Sequence, residues 1–213
     1  MDISCRRRVL HVGCGLRKSG QLHHVFNASG WIEIRLDIDE KVEPDIVSSM
    51  VDLRDTVVDG SCDAIWSSHN LEHLYPHEAP RALAEFRRVL RCDGFALITC
   101  PDVVAIAQLI VDGTFDEPAY HVSAGPISPR DMLWGDARAI ARGNVFMAHH
   151  TGFTCASLGR SLIDAGFAEA WAFSGTAYDL WAVALMDETD RGLLRRQLAV
   201  AGLMFPEERG AIG

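Results

Sequence analysis

The sequence lacks both an excess of basic residues and a long apolar run. Lys and Arg together number 20 against 29 Asp and Glu, so the formal net charge at pH 7 is −9. Nucleic-acid binders usually carry a clustered basic face, and the short basic cluster at residues 6–8 is more typical of a solvated chain end. No apolar segment approaches the roughly 20 residues that a membrane-spanning helix needs. The sequence therefore predicts neither a nucleic-acid partner nor a membrane partner.

Paired cysteines are also missing. The chain has six cysteines, and none of them stand in a C-x-x-C spacing. This argues against a zinc knuckle and against a disulfide framework, and it suits a reducing compartment. Residues 1–8 contain no apolar run of the kind that a secretory signal requires. We therefore predict a cytoplasmic protein.

The remaining composition is that of an ordinary globular domain. The chain has 213 residues, of which 48% are hydrophobic and 23% charged, enough to bury the core of one domain. We predict a single domain over residues 1–213. Residues 112–151 are rich in Gly, Pro, His and aromatics and break the regular pattern, so we expect a lid or substrate-binding insertion there. Residues 187–213 form the predicted C-terminal tail, which contains one amphipathic segment.

Short apolar strands alternate with helical segments along most of the chain. The predicted strands lie near residues 9–12, 31–37, 44–47, 62–66, 95–100, 168–173 and 180–186. The predicted helices lie near residues 79–91, 102–111 and 154–165, and a short one begins at Pro129 with Ser128 as its N-cap. This alternation predicts a mostly parallel α/β sheet. The link between the last two strands is too short for a helical crossover, so these strands must pair antiparallel.

The first predicted strand ends in a glycine loop, in the stretch RRVLHVGCGLRKSG at residues 7–20. Its glycines are Gly13, Gly15 and Gly20, which do not have the G-x-G-x-x-G spacing of a dinucleotide site. The spacing and the terminal hairpin together argue against an NAD-dependent oxidoreductase. Ligands of open parallel sheets bind beyond the carboxyl ends of the strands, so we expect this loop to face a ligand.

Five segments follow one another in a recognisable order: VLHVGCG, IRLDID, SMVDL, CDAIWSSHNLEHL and RVLRCDGFALITCPD. Together they resemble a class I S-adenosylmethionine-dependent methyltransferase, and more narrowly the bacterial small-molecule group with an LEHL signature. The resemblance implies an α/β fold with a Rossmann-like, mostly parallel seven-stranded sheet, an antiparallel C-terminal hairpin and helices on both faces. It also implies S-adenosylmethionine as the cofactor and methyl transfer to a small-molecule acceptor.

The same resemblance implies a set of cofactor-binding residues. They are Gly13, Cys14, Gly15, Asp37, Ile38, Asp52, Leu53, Ser67 and Ser68. Asp37 would accept hydrogen bonds from both ribose hydroxyls, and Ile38 would pack on the adenine face. Asp52 and the Leu53 N–H would bind the polar edge of the adenine. His11 departs from the family pattern, which has an acidic residue before the glycine loop.

Methyl transfer to a hydroxyl or to a neutral acid also requires the removal of a proton, and histidine suits that step. We predict His69 as one candidate base because it follows the fourth strand, beside the expected position of the methyl group. His149 is the second candidate because it lies at the end of the 112–151 region and would approach the acceptor from the opposite side. If neither histidine acts, alignment and desolvation alone carry catalysis.

A metal site is an alternative interpretation of the segment after the fourth strand. Some relatives with an E-x-x-E-H-L signature hold a divalent cation, and in this chain His69 replaces the first carboxylate. His69, Glu72 and His73 share one helical face, so ligation is geometrically allowed. Because an oxygen-rich ligand set is missing, we interpret Glu72 and His73 as residues that orient the loop by hydrogen bonds, and we predict no metal.

A second class of function remains open, that of a non-catalytic methyltransferase-like subunit that binds a protein partner. An exposed apolar face near residues 193–205 would favour that role, whereas the aromatic and histidine-rich 112–151 region favours an enzyme. For an enzyme we expect a small-molecule substrate, and a homodimer is compatible with the sequence.

Overall fold

The computed structural model describes residues 6–17, 21–27, 30–122 and 125–205. Its strands are β1 (Arg7–Val12), β2 (Trp31–Asp37), β3 (Ile46–Val47), β4 (Cys62–Ser68), β5 (Leu90–Pro101), β6 (Tyr120–Val122), β7 (Gly125–Ile127), β8 (Glu169–Ser174) and β9 (Asp179–Leu185). Its α-helices are α1 (Ala79–Val89), α2 (Val103–Val111), α3 (Pro129–Trp134), α4 (Ala137–Ala141), α5 (Cys155–Asp164) and α6 (Arg191–Val200). Short 3₁₀ helices lie at His24–Phe26, Glu40–Val42, Leu71–His73 and Val145–Met147.

Seven of the strands form one sheet, in the order β3-β2-β1-β4-β5-β9-β8. The strands from β1 to β5 pair in parallel, whereas β9 runs antiparallel to both β5 and β8. The chain winds outwards in opposite directions from β1 and β4, and a ligand crevice is expected at such a switch point. The predicted fold class, a Rossmann-like sheet with an antiparallel C-terminal hairpin and helices on both faces, is confirmed.

Apolar side chains cover both faces of the sheet. On one face, α1 and α5 contribute Phe86 and Leu158 to a core that also contains Ile98 of β5. On the other face, α6 contributes Leu194 and Leu198 to a second core. Full burial of a large apolar side chain stabilises a fold by roughly 1.5–3 kcal/mol, so the two layers together hold the sheet and its carboxyl edge in place. Of the helices in the described ranges, none combines the length and the apolar character that crossing a bilayer requires.

Polar N-caps define where three of the helices begin. The Asp102 side chain accepts hydrogen bonds from two backbone N–H groups at the start of α2. Ser128 and Thr154 each form a reciprocal capping box at the start of α3 and α5. Caps of this type satisfy N–H groups that have no partner within the helix, at about 1 kcal/mol each. The predicted N-cap at Ser128 is confirmed.

The boundary between α1 and β5 differs from the prediction. The helix ends at Val89, and Leu90 already has an extended backbone and pairs with Cys62 of β4. The register then shifts between Cys62 and Ala64, so β5 is longer than the predicted strand. Pairing across the sheet therefore overrides the helical pattern of the last turn, and Gly94 lies within a strand instead of ending a helix.

The 112–151 region contains more regular structure than predicted. Where the sequence indicates one helix, the structure has α3 and α4, the 3₁₀ helix Val145–Met147 and the separate hairpin of β6 and β7. In the predicted tail, the amphipathic segment is α6. Gly20 and the end of that tail, residues 206–213, lie outside the described residues.

Candidate functional site

The glycine loop after β1 has a conformation that only glycine adopts easily. Gly13 has φ of +60° and Gly15 has φ of +56°. A Cβ atom on Gly13 would lie 1.7 Å from Oδ1 of Asn70, so no side chain fits there while Asn70 holds this position. The Asn70 amide donates to the carbonyl of Val12 at 2.9 Å and to that of Ser68 at 3.0 Å. Asn70 thus ties the carboxyl ends of β1 and β4 together beneath the loop, a role that no sequence pattern indicates.

Asp37, at the end of β2, also belongs to this loop. Its carboxylate accepts hydrogen bonds from the Gly15 N–H at 2.9 Å and from the Asp39 N–H at 3.0 Å. A carboxylate has about four acceptor positions, so two remain for hydroxyl donors of a ligand. Ile38, the next residue, leaves 50% of its surface exposed despite being apolar. The structure thus brings the loop, an acceptor carboxylate and an apolar surface together.

A buried arginine supports the loop from below. Arg35 is 2% exposed, and its guanidinium donates to the carbonyl oxygens of Gly15 and Glu43, the latter at 2.7 Å. It therefore links the glycine loop to the turn that follows Asp37. The sequence did not predict this role. The alternation of residues along β2 indicates only on which face of the strand the Arg35 side chain lies.

His11 occupies the position before the glycine loop where an acidic residue is usual in the family that the sequence resembles. A carboxylate lies nearby nevertheless, on the neighbouring strand β2. Nδ1 of His11 on β1 lies 2.6 Å from Oε1 of Glu33 on the neighbouring strand β2. Burial lowers the pKa of His11, although the hydrogen bond to Glu33 opposes this shift. A charged group is thus retained near the loop, contributed by β2 instead of β1.

Two of the predicted adenine-binding groups already have partners within the chain. The Asp52 carboxylate accepts from Nε of Arg54 at 2.8 Å, and this hydrogen bond holds its pKa well below the ordinary range. The Leu53 N–H donates to Oε2 of Glu85 at 2.6 Å. Contacts of Asp52 and Leu53 with an adenine would have to replace or share these bonds.

The residues that end β4 differ in their exposure. Ser67 is buried, and the Ser68 hydroxyl lies 3.0 Å from that of Thr99. His69 has φ of +53°, which is a strained conformation for a residue with a Cβ atom. Its N–H donates to the Thr99 carbonyl at 2.9 Å, and its side chain remains 49% exposed. The fold therefore holds the His69 side chain at the open carboxyl edge of the sheet.

Glu72 is the most deeply buried acidic group at this edge. Its side chain is 1% exposed, and in the described part of the chain neither carboxylate oxygen has a hydrogen-bond partner. Nδ1 of His69 lies 3.3 Å from Oε1, which is ion-pair distance without hydrogen-bond geometry. Burial acts to raise the pKa of Glu72, but His69, His73 and His149 together lower it, so the net shift is downward. Burial acts to lower the pKa of His69, and Glu72 together with the charge of Asp179 reverses that shift.

His73 and His149 complete the group around Glu72. Nδ1 of His73 lies 3.1 Å from the Ala148 carbonyl, and Nδ1 of His149 lies 2.9 Å from the Met132 carbonyl. The two rings are 4.8 Å apart, and burial lowers the pKa of His149. The structure thus places both predicted bases, His69 and His149, around one carboxylate.

The backbone carbonyl of Glu72 connects the end of the 112–151 region to the 3₁₀ helix that follows β4. The N–H groups of His150 and Thr151 donate to the Glu72 carbonyl at 2.8 and 3.2 Å. His150 points its ring elsewhere, where it stacks on Tyr75 at 4.2 Å. The connection therefore comes from the backbone and does not depend on the Glu72 carboxylate.

A cavity of about 310 Å³ opens beside His149. Its lining comes from the end of β5, the start of α2, α3 and the segment that follows the 3₁₀ helix at Val145–Met147. The lining residues are Pro101, Val103, Met132, Leu133, Trp134, His149, His150, Thr151 and Gly152. A mostly apolar cavity with one aromatic ring and two imidazoles suits a small organic ligand.

Part of the chain is similar to a known family. Residues 10–98, less than half of the chain, match the family described as methyltransferase domain. Over 140 residues it is 29% identical to the methyltransferase GfsG of Streptomyces halstedii, a match that covers 59% of this chain and 46% of that protein. The chain thus spans less than half the length of this curated relative.

Solved methyltransferases share the fold. A SAM-dependent methyltransferase from Archaeoglobus fulgidus is similar with a TM-score of 0.55 and 15% identity, over 84% of this chain and 86% of that one. The 1,6-didemethyltoxoflavin-N1-methyltransferase of Burkholderia thailandensis, solved with S-adenosylhomocysteine, is similar with a TM-score of 0.53 and 15% identity, over 85% of this chain and 72% of that one.

The glycine loop has features that fit S-adenosylmethionine, the cofactor that the sequence resemblance implies. Gly13 and Gly15 leave the approach to the backbone free of Cβ atoms, and the Asp37 carboxylate retains acceptor positions at the end of β2. Exposed Ile38 supplies an apolar surface beside that carboxylate. These three features match a ligand that has a ribose and a flat base.

Proposed function

We propose that this protein transfers the methyl group of S-adenosylmethionine to a small-molecule acceptor bound in the cavity beside His149. The observation that carries the proposal is the position of that cavity. It adjoins the carboxyl ends of the strands, and His149 connects it to the residues that follow β4. A volume of about 310 Å³ suits an acceptor of modest size, since ligand pockets commonly measure about 300–1,000 Å³.

The cofactor supplies an electrophilic methyl group when it is bound. The chain must then align the acceptor atom with that group and exclude water from it. We propose the backbone around Gly13, Asn70 and Ser67 as the rigid side of the site. Residues 112–151 form its other side, as a lid that provides Met132, Trp134 and His149.

His69 is the proposed general base. It stands at the carboxyl end of β4 with an exposed side chain, and its Nδ1 faces Glu72. The opposite ring nitrogen, Nε2, is therefore the atom available to an acceptor proton. Glu72 orients the ring, as a carboxylate often does for a catalytic imidazole.

The alternative of a non-catalytic subunit receives less support from the structure. The apolar face of α6 is turned inwards, where Leu194 and Leu198 are buried. The large apolar side chains left exposed nearby are Leu193, Val200 and Met204. Most of the face that would have favoured a protein partner thus belongs to the core.

A direct test combines ligand identification with an activity assay. Mass spectrometry of denatured, freshly purified protein should detect S-adenosylmethionine or S-adenosylhomocysteine. Release of S-adenosylhomocysteine should then rise when the enzyme meets the right member of a panel of phenols, aliphatic alcohols, carboxylic acids and amines. Trp134→Ala, which opens the cavity wall, should raise KM for that acceptor more than it changes cofactor affinity. Binding of NAD instead of S-adenosylmethionine would contradict the proposal.

A further inference from the structure

A carboxylate and two imidazoles converge between the loop after β4 and the end of the 112–151 region. One donor atom from each of Glu72, His73 and His149 lies within 4.8 Å of the other two. Glu72 and His73 come from the 3₁₀ helix after β4, and His149 lies about 75 residues further along the chain. From the sequence alone, only Glu72 and His73 of these three residues were expected to lie together.

The Glu72 carboxylate points to a missing ligand. Both of its oxygens are buried, and neither has a hydrogen-bond partner among the described residues. Burial of a charged group without hydrogen bonds is costly, and native structures rarely leave such a group without an explanation. His69 at 3.3 Å offsets the charge without satisfying the oxygen lone pairs.

The two imidazoles are oriented as metal ligands usually are. A carbonyl oxygen only accepts, so the contacts of His73 with Ala148 and of His149 with Met132 put the proton of each ring on Nδ1. In the neutral ring the lone pair is then on Nε2. Histidines that bind metals typically donate their other N–H to a carbonyl or a carboxylate in this way.

We infer that Glu72, His73 and His149 bind one divalent cation. Two imidazoles and one carboxylate favour a transition metal of the zinc, cobalt or nickel type over Mg²⁺, which prefers an all-oxygen set. The expectation of no metal rested on the lack of an oxygen-rich ligand set, which a transition metal held by two imidazoles and one carboxylate does not require. Three protein ligands leave at least one position open, and His149 also lines the cavity.

Such a cation would connect the loop after β4 to the end of the lid. It would also offer the acceptor an electrophilic anchor beside the expected methyl group. The inference goes beyond the proposed methyl transfer, since cation binding does not depend on which acceptor is used. His149 would then act as a ligand, which leaves His69 as the base.

Metal titration of the chelator-treated protein tests the inference without any activity assay. Zn²⁺ should bind with a stoichiometry of one in calorimetry, and Co²⁺ should give visible absorption bands that Zn²⁺ displaces. Mg²⁺ should bind at least about 100-fold more weakly than Zn²⁺. Glu72→Gln and His149→Ala should each weaken Zn²⁺ binding by more than about 100-fold.

His150→Ala is the matched control, because it removes the neighbouring histidine, whose ring stacks on Tyr75 outside the cluster. It should leave Zn²⁺ affinity within about threefold of the parent value. Retained affinity for S-adenosylhomocysteine in each variant shows that the fold is intact. His149 is only partly buried, so His149→Ala serves if Glu72→Gln does not fold. Absence of Zn²⁺ binding, equal affinities in parent and His149→Ala, or a preference for Mg²⁺ would overturn the inference while leaving methyl transfer standing.

Discussion

At the scale of single residues, the contact between Gly13 and Asn70 sets the shape of the site. Asn70 occupies the space that a side chain at Gly13 would need, and its amide joins the ends of two strands. Each residue therefore constrains the other, although 57 positions separate them in sequence. Arg35 plays a similar supporting part for Gly15.

Asp37 is expected to contribute to cofactor binding in two ways. Asp37→Ala would remove the acceptor for ribose hydroxyls and also the partner of the Gly15 N–H. Hydrogen bonds to a charged group contribute about 1.5–3 kcal/mol, so affinity for S-adenosylhomocysteine should fall by roughly 10- to 150-fold in calorimetry. Asp39→Ala, which removes only the cap of the following turn, should have little effect. Full affinity in Asp37→Ala would exclude this role.

His69 is expected to affect the rate more than binding. His69→Ala should lower kcat by roughly 10²–10⁴ and leave cofactor affinity nearly unchanged, because a base acts only in the transition state. His77→Ala, at an exposed position, is the control. Metal content should be measured in parallel, since His69 contacts Glu72. A near-normal kcat in His69→Ala would exclude His69 as the base, and a near-normal kcat in His149→Ala as well would mean that alignment and desolvation alone carry catalysis.

At the scale of elements, the sequence predicted the seven strands of the main sheet from local apolar patterns. β1, β4 and most of β5 are apolar runs that end in glycine or polar residues, and both features are local. The end of α1 was predicted wrongly, because the pairing of Leu90 with Cys62 is a contact between distant parts of the chain. The support given by Asn70 and Arg35 was missed for the same reason. Contacts of this kind leave no periodic signal in the sequence.

The 112–151 region is expected to respond to ligands as a unit. It contains short helices and exposed apolar side chains such as Trp134 and Phe146, which are features of a lid of low local stability. Amide exchange there should slow when cofactor and acceptor are both added, and less with cofactor alone. Protection confined to residues 9–70 would contradict the lid assignment.

At the scale of the whole molecule, stability should decrease in mild acid. Burial against Trp66 and Trp181 lowers the pKa of His23 to about 4, and the charge of His24 adds to this shift. The unfolded chain, with an ordinary histidine pKa near 6.5, therefore binds a proton that the folded chain excludes. His23 thus contributes stability that is present above about pH 6.5 and is lost as the pH falls towards 4.

The effect is at most about 3.4 kcal/mol, since the pKa differs by about 2.5 between the folded and unfolded chains at 1.36 kcal/mol for each pKa unit. Solvent screening around the partly exposed ring makes it smaller. Denaturant unfolding at pH 7.5 and pH 4.5 should show a smaller loss of stability in His23→Phe than in the parent protein. His77→Gln, at an exposed position, should behave as the parent does. An equal loss of stability in the parent and in His23→Phe would show that His23 does not contribute to the pH dependence.

The two N–H groups that bind the Glu72 carbonyl make the 112–151 region exchangeable. Main-chain hydrogen bonds do not depend on side-chain identity, so the segment returns to the sheet at the same point whatever residues it carries. A second fixed point lies at the start of α2, where the Val103 N–H donates to the Phe153 carbonyl at 3.1 Å. Between these points, loops from related enzymes could be grafted as cassettes to recruit new acceptors, with the cofactor half left untouched.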